Sequence, residues 1–314
     1  MKAFVLEGFG SVENLVEKEV ILPVIKSDEV LIKTVAISIN PVDVKTVKGK
    51  GLWTKLKDLD QVILGWDISG TVTQVGTDVK DFKVGDQVFG MINFPGHGKA
   101  YAEYVAAPAA HLALKPAITS HVEAAAATLA ALTAYQALVS HANIKEGDRV
   151  LIHAAAGGVG HYAVQIAKHF GAYVIGTSSA ENRDFVLGIG ADEHIDYQNQ
   201  KFEDVLSDVD FVLDTIGGDN IDRSLEIVKR GGTVISIPSG LAEQVVEKAK
   251  AKGVNGYFFM VHSDGHDMGK IASLLKHKVV KSHVSKVFPF AELHAAHNQV
   301  ATGKTNGKVV VNLN

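Results

Sequence analysis

The chain contains no cysteine. That absence removes disulfides, thiolate zinc sites and cysteine nucleophiles together, and it fits a cytoplasmic protein. Long apolar runs are missing too. No stretch approaches ~20 uninterrupted apolar residues, so none is expected to span a membrane. The N-terminal MKAFVLEGFGSVENL lacks the apolar core of a signal peptide. Charge of one sign is also absent: the formal net charge is −4, with no basic run. Neither a nucleic-acid footprint nor a membrane-surface patch is therefore expected. What remains is an ordinary globular composition, 46% hydrophobic and 21% charged, at a length of 314 residues that suggests about two domains.

The stretch Val150–Gly171, VLIHAAAGGVGHYAVQIAKHFG, carries the strongest signal. Val150–His153 is a short branched-apolar run, as in a buried parallel strand. Ala154–Gly160 follows as A-A-A-G-G-V-G, and from Val159 the apolar residues recur at helical spacing up to Gly171. Strand, glycine turn and helix together aim backbone N–H groups and a positive helix end at one point, which suits a pyrophosphate. Gly157 lets the backbone approach phosphate, and Gly160 lets the helix lie close on the strand. Ala155 stands where the first glycine of G-x-G-x-x-G usually is. The next strand, Tyr173–Thr177, ends in Gly176-Thr177-Ser178-Ser179, followed by Asn182 and Arg183. An NAD site carries Asp or Glu there to hold the ribose 2′-hydroxyl. Hydroxyls and a cation suit a 2′-phosphate instead, so the sequence favours NADP(H), with Glu181 working mildly against it.

Before this unit lie many short strands with Gly, Pro and Asp turns: Met1–Leu6, Leu15–Val20, Glu29–Ile37, segments within Val62–Gly90, and Tyr101–Ala106. They imply a small antiparallel barrel or sandwich. Glu123–Ser140 reads as one alanine-rich helix. Six strands alternating with helices follow, at Arg149–His153, Tyr173–Thr177, Glu193–Asp196, Phe211–Asp214, Thr233–Ile237 and Gly256–Met260. That is the doubly wound count. After Met260 come a helix at Met268–Lys278, a strand at Val284–Phe288, a helix at Phe290–Thr302 and a closing strand at Lys308–Asn312.

Taken in order, Asn40-Pro41-Val42-Asp43, Gly65-Trp66-Asp67-Ile68-Ser69-Gly70, Lys83-Val84-Gly85-Asp86-Gln87-Val88, Tyr101-Ala102-Glu103-Tyr104-Val105, Leu132-Thr133-Ala134-Tyr135, the turn Ala154-Ala155-Ala156-Gly157-Gly158-Val159-Gly160 and the terminal Gly307-Lys308-Val309-Val310 resemble the zinc-free, zeta-crystallin-like quinone oxidoreductases of the medium-chain dehydrogenase/reductase superfamily. The resemblance runs over essentially the whole chain. It implies an α/β protein: a GroES-like β-rich catalytic domain at residues 1–122 and 263–314, plus a Rossmann domain with a doubly wound parallel sheet at 123–262 that binds NADPH. It implies reduction of quinones or α,β-unsaturated carbonyls by a homodimer, with a small-molecule substrate. By that resemblance Asn40 and Asp43 face the active site and Thr128 lies near the nicotinamide. Ser178, Ser179, Arg183 and Tyr197 hold the 2′-phosphate, and Lys308 matches the family's C-terminal lysine. Zinc-dependent relatives have cysteine where Asn40 stands and histidine where Trp66 stands. This chain has neither, so no metal site is expected.

Other features point elsewhere or nowhere. His262 and His266, and His294 and His297, have metal-like spacing without a third ligand, and are expected at the surface. Gly303-Lys304-Thr305 resembles the end of a phosphate loop but lacks its first glycine and its strand. Trp53 and Trp66 suit either a pocket wall or the core. The expected chemistry is hydride transfer from NADPH, with the Asn40 amide donating to the oxygen that gains charge and Asp43 orienting its neighbours. Pro41 biases Asn40 toward extended backbone angles; the plainer role for this asparagine is to cap a turn. An enoyl-thioester or alkenal reductase is the neighbouring activity, and a non-catalytic NADPH-binding sensor is the rival class.

Overall fold

Residues 1–237 and 242–313 are described in a computed structural model of the chain. The chain divides into two compact units, Met1–Leu132 with Val261–Asn314, and Thr133–Met260.

Glu29–Ile39 is the axis of the first unit. Its apolar and branched side chains favour a pleated, largely buried strand. Asp67–Val75 pairs along one edge; Tyr104–Pro108 and Lys308–Asn312 share the other. The sheet runs Val284–Pro289, Lys308–Asn312, Glu29–Ile39, Asp67–Val75, Gln87–Met91, Ala113–Leu114, and Lys2–Leu6 pairs separately with Leu15–Glu19. The expected β-rich architecture is present. What the sequence reads as a proline turn is more: Pro41 opens a helix over Pro41–Val47, because its fixed φ and missing N–H suit a first helical position.

The expected single helix Glu123–Ser140 is broken. His121–Ala126 forms one helix, capped by Ser120 Oγ, which accepts from Glu123 N at 3.2 Å. A second helix, Leu129–Tyr135, runs into a wider π-type turn at Gln136–His141. At the break Thr128 Oγ1 donates to Ala125 O (2.7 Å) and Leu129 N donates to Asp67 Oδ1 (2.9 Å). Local side-chain bonds of this kind compete with the helical ladder, and alanine-rich composition cannot report them.

The second unit is a six-stranded, wholly parallel sheet in the order Glu193–Asp196, Tyr173–Ser178, Arg149–Ile152, Val209–Asp214, Val228–Ser236, Asn255–Phe258. That is the doubly wound order of a Rossmann fold. Val150, Leu151, Ile152, Val212 and Leu213 are fully buried, as expected for strands covered on both faces. The fifth strand begins earlier than the sequence suggests, at Val228 rather than Thr233.

The helix Gly160–His169 packs onto the first strand as the glycine pattern requires. A Cβ at Gly160 would stand 2.1 Å from Ala154 O and 2.8 Å from Ala155 Cα, so nothing larger than hydrogen fits without moving backbone. Gly160→Ala is therefore expected to destabilise the protein by about 1–3 kcal/mol through overpacking. Thermal unfolding of the full chain checks this; an unchanged midpoint would show that helix and strand can separate freely.

Candidate active site

The turn after the first Rossmann strand is tied to the second. His153 is buried, with Nδ1 3.1 Å from Thr177 Oγ1 and Nε2 3.0 Å from Ser224 Oγ. Burial pushes its pKa down to about 4, with Asp214 opposing, so near neutral pH the ring is one donor and one acceptor. Thr177 Oγ1 also accepts from Ala154 N (3.3 Å), and Thr177 O accepts from Ala155 N (2.9 Å). Ala154 is thereby held at φ +49°, a left-handed conformation unusual for alanine. Gly157 N closes the turn onto Ala154 O at 2.8 Å. A Cβ at Gly157 would meet only Ala154 within 4 Å, so beyond that residue its outer side is open. Gly157, Gly158, Val159 and Gly160 thus form a turn whose backbone an anion can approach at the start of a ten-residue helix. This cradle fits a dinucleotide pyrophosphate.

The hydroxyls at the end of the second strand are grouped as the sequence suggests. Ser178 Oγ donates to Ser179 O (3.1 Å) and lies 2.7 Å from His194 Nε2. Ser179 Oγ donates to Glu181 Oε1 (3.2 Å) and accepts from Asn182 Nδ2 (3.0 Å). Tyr197 N donates to Ser178 O (3.3 Å), and its ring is exposed. Arg183 begins the helix Arg183–Gly188 and is exposed. Among the described residues no carboxylate pairs with it.

A second polar cluster is buried in the first unit. Three neighbouring strands place it: Ser38 pairs with Asp67, and Val309, next to Lys308, pairs with Ile39. Asn40 follows that strand in an extended conformation, φ −120° and ψ 157°, as the residue before proline should. Asp67 Oδ2 accepts from Ser38 Oγ (2.6 Å) and Asn40 Nδ2 (2.7 Å), and lies 3.8 Å from Lys308 Nζ; Leu129 N serves Oδ1. Lys308 Nζ donates to Asn40 Oδ1 (2.5 Å) and Ile39 O (3.4 Å). Asn40 N donates to Asp43 Oδ2 (2.6 Å). Asn40 is 1% exposed, Lys308 3%, and Asp43 and Asp67 not at all. Asn40 therefore does more than cap a turn, since its amide bridges a cation and a carboxylate.

Burial and the neighbouring Asp67 push the Asp43 carboxyl up to about 8, against the Asn40 N–H and Lys308. Asp43 Oδ1 is buried and has no hydrogen-bond partner among the described residues. Burial likewise lowers Lys308, opposed by Asp67 and Asp43. Tyr101, also fully buried, shares its hydroxyl with His297 Nε2 at 2.9 Å. Burial raises the phenol well above its usual value and holds His297 down to about 3.

The sequence-derived residues thus fall into two groups. Ala155, Gly157, Gly158, Val159, Gly160, Ser178, Ser179, Arg183 and Tyr197 lie in the second unit; Asn40, Asp43, Thr128 and Lys308 lie in the first. Lys308 is placed against the Asn40 amide. His297 was expected at the surface and is instead 2% exposed, because its ring nitrogen satisfies the buried Tyr101 hydroxyl. His294 is partly buried, with Nε2 2.6 Å from Leu15 O. Trp66 is core, fully buried with Nε1 donating to Gly96 O at 2.7 Å, and Trp53 packs on Phe9. Among the described residues no group of three or more His, Asp or Glu is placed to hold a metal. Sequence reasoning assigns no role to Ser38, Tyr101 and His194, and none to Asp67. The strand pairing Ser38–Asp67 is the signal that identifies it, and pairing is not visible in one sequence.

Known proteins share the fold described above. The alcohol dehydrogenase GroES-like domain family matches residues 26–117, and the zinc-binding dehydrogenase family matches residues 189–311. An Arabidopsis thaliana protein named NADPH-dependent alkenal/one oxidoreductase, chloroplastic, is 35% identical over 99% of this chain and 79% of its own. The solved quinone oxidoreductase of Coxiella burnetii superposes with a TM-score of 0.95 at 36% identity, covering 100% of this chain and 99% of that one. The Escherichia coli quinone oxidoreductase, solved with NADPH, gives 0.86 at 27% identity with both chains covered fully. The two-unit fold, the glycine turn and these relatives together make the chain a member of the medium-chain dehydrogenase/reductase superfamily.

Proposed function

We propose that this protein is an NADPH-dependent oxidoreductase acting on quinones or α,β-unsaturated carbonyls. The observation that carries the cofactor choice is the end of the second Rossmann strand. Ser178, Ser179 and Arg183, which pairs with no carboxylate among the described residues, stand where an NAD site has an acid. The relatives named for NADPH and for quinone or alkenal reduction support the same reading. In it, Gly157–Gly160 receive the pyrophosphate, and Ser178, Ser179, Arg183 and Tyr197 receive the 2′-phosphate.

The bound cofactor supplies a hydride, and the acceptor then needs a proton and a donor for its charged oxygen. Asn40 is the donor we assign. One amide N–H serves Asp67, and the second is the one we assign to the substrate oxygen. Lys308 and Asp67 grip the two ends of the amide, and Asp43 holds the Asn40 backbone, so the donor is oriented before substrate arrives. Lys308 and Asp43 act here as positioning residues. A preorganised donor of this kind is worth ~2.7–4 kcal/mol in the transition state.

A location in the cytoplasm is the part of the proposal that rests on composition, since nothing in a chain without cysteine depends on an oxidising compartment. Among the described residues no helix is long and apolar enough to cross a membrane. We further propose a homodimer, supported by the sheet edge at Asn255–Phe258, which among the described residues pairs on one side only, with Val228–Ser236. Sedimentation should give twice the 33.5 kDa of one chain; a single-chain mass at micromolar concentration would contradict it.

Consumption of NADPH, followed by absorbance, should depend on an added quinone or enone. Binding of NADPH without turnover on a panel of quinones, enones and enoyl thioesters would favour the sensor instead. Asn40→Ala should lower kcat/KM per folded molecule by about 10²-fold, with NADPH affinity unchanged. It should also melt earlier, since Lys308 and Asp67 each lose a buried partner. A variant that only melts earlier would leave Asn40 a structural residue. Arg183→Glu should weaken NADPH binding by about tenfold or more and leave NADH nearly untouched; equal losses for both cofactors would sink the phosphate assignment.

A further inference from the structure

His194 lies outside every role assigned so far. It sits on Glu193–Asp196, beside the strand that ends in Ser178. Its Nε2 is 2.7 Å from the Ser178 hydroxyl, and Ser178 is only 5% exposed. Ser178 Oγ donates to Ser179 O. With that proton committed, the hydrogen between Ser178 and His194 belongs to Nε2, and Ser178 accepts it. Arg183 and His194 also line one depression of about 310 Å³, together with Gln200.

The acidic groups around this ring are already engaged. Asp192 pairs with Lys168 and accepts from Val174 N; Glu193 accepts from the Tyr173 hydroxyl. Asp196 accepts from Gln198 N and Asn199 Nδ2, and Glu181 from Ser179 Oγ. The cation acting on His194 is Arg183, and the carboxylate acting on it is Asp196, which among the described residues accepts only from neutral donors. Burial and Arg183 together hold the imidazole below its usual value, against Asp196 and the Ser179 backbone.

We propose that His194 belongs to the 2′-phosphate subsite, where it orients the Ser178 hydroxyl and supplies a second, pH-dependent cation beside Arg183. The proposal rests on the NADPH reading above. In the neutral form Nε2–H fixes Ser178 so that its hydroxyl proton can swing from Ser179 O to a phosphate oxygen. In the protonated form the ring adds charge to a site that Arg183 alone would serve. A phosphate dianion favours the protonated ring, so its pKa is higher in the complex than in the free protein. NADPH affinity therefore gains as pH falls through that interval. NADH lacks the phosphate and has no such gain. The phosphate itself takes up a proton near pH 6, which opposes the effect equally in wild type and variant.

The test is binding of NADPH and NADH to the full chain and to His194→Gln between pH 6 and 8, followed by nucleotide fluorescence. Arg183→Glu is titrated alongside. At pH 6 the glutamine variant should bind NADPH about three- to tenfold more weakly than wild type, with the gap closing toward pH 8. Its NADH affinity should match wild type throughout, which also reports that the unit is folded. The same pH course of the NADPH-to-NADH ratio in both proteins would overturn the role of His194. If Arg183→Glu still discriminates in that case, only His194 is dismissed. If neither variant discriminates, the phosphate assignment fails and takes His194 with it.

Discussion

The Asp67 carboxylate is the constraint around which the first unit is arranged. It is fully buried, and a buried carboxylate is tolerated only when its oxygens are served. Its partners come from three separate stretches of chain. Ser38 is its cross-strand neighbour, Asn40 stands at the start of a helix, and Lys308 opens the closing strand. Leu129 N reaches it only because the alanine-rich helix breaks at Thr128. Satisfying one carboxylate therefore fixes a strand register, a helix start, a helix break and the docking of the C-terminal strand.

The second unit uses a neutral counterpart. His153, held uncharged by burial, joins the first strand to the second through Thr177 and to a following helix through Ser224. Asp214, buried at the end of the fourth strand, accepts from Ile216 N, Gly217 N, Asn220 Nδ2 and Ser236 Oγ. These bonds lock the carboxyl ends of adjacent parallel strands, where doubly wound folds place their ligands. The glycine turn is thus rigid from below, while beyond Ala154 its outer side stays open at Gly157. That combination keeps backbone donors oriented without occupying the space a phosphate needs.

Features written in local sequence were legible in advance. Branched-apolar runs marked the parallel strands, the glycine spacing marked the turn, and Pro41 marked the extended Asn40. Features set by pairing between distant segments were not. Nothing in Glu123–Ser140 announces that Leu129 N will leave its helix, because its acceptor lies 62 residues away in sequence. His297 looked like half of an exposed pair until Tyr101, 196 residues earlier, took its ring nitrogen. Lys308 could be singled out by resemblance, yet its contact with Asn40 spans 268 residues and follows from strand order alone.

Charge balance is what lets this cluster hold an amide donor in place. Lys308 and Asp67 form a buried ion pair, and a second buried carboxylate would leave the cluster with an uncompensated charge. Burial and Asp67 resolve this by pushing Asp43 up to about 8, so near neutral pH it is mostly the uncharged acid. The sign follows directly. The folded-state pKa lies above the ordinary value of 3.8, so burying Asp43 is free of penalty below that value. As pH rises from there through about 8, the unfolded chain ionises first and the folded state loses stability relative to it. The same ionisation would set a second negative charge beside Asn40, where the function proposed above has a substrate oxygen gain charge of the same sign. Under the proposed function Asp43 therefore serves the site by staying protonated, and its contribution is to hold the backbone of Asn40 rather than to give a proton of its own.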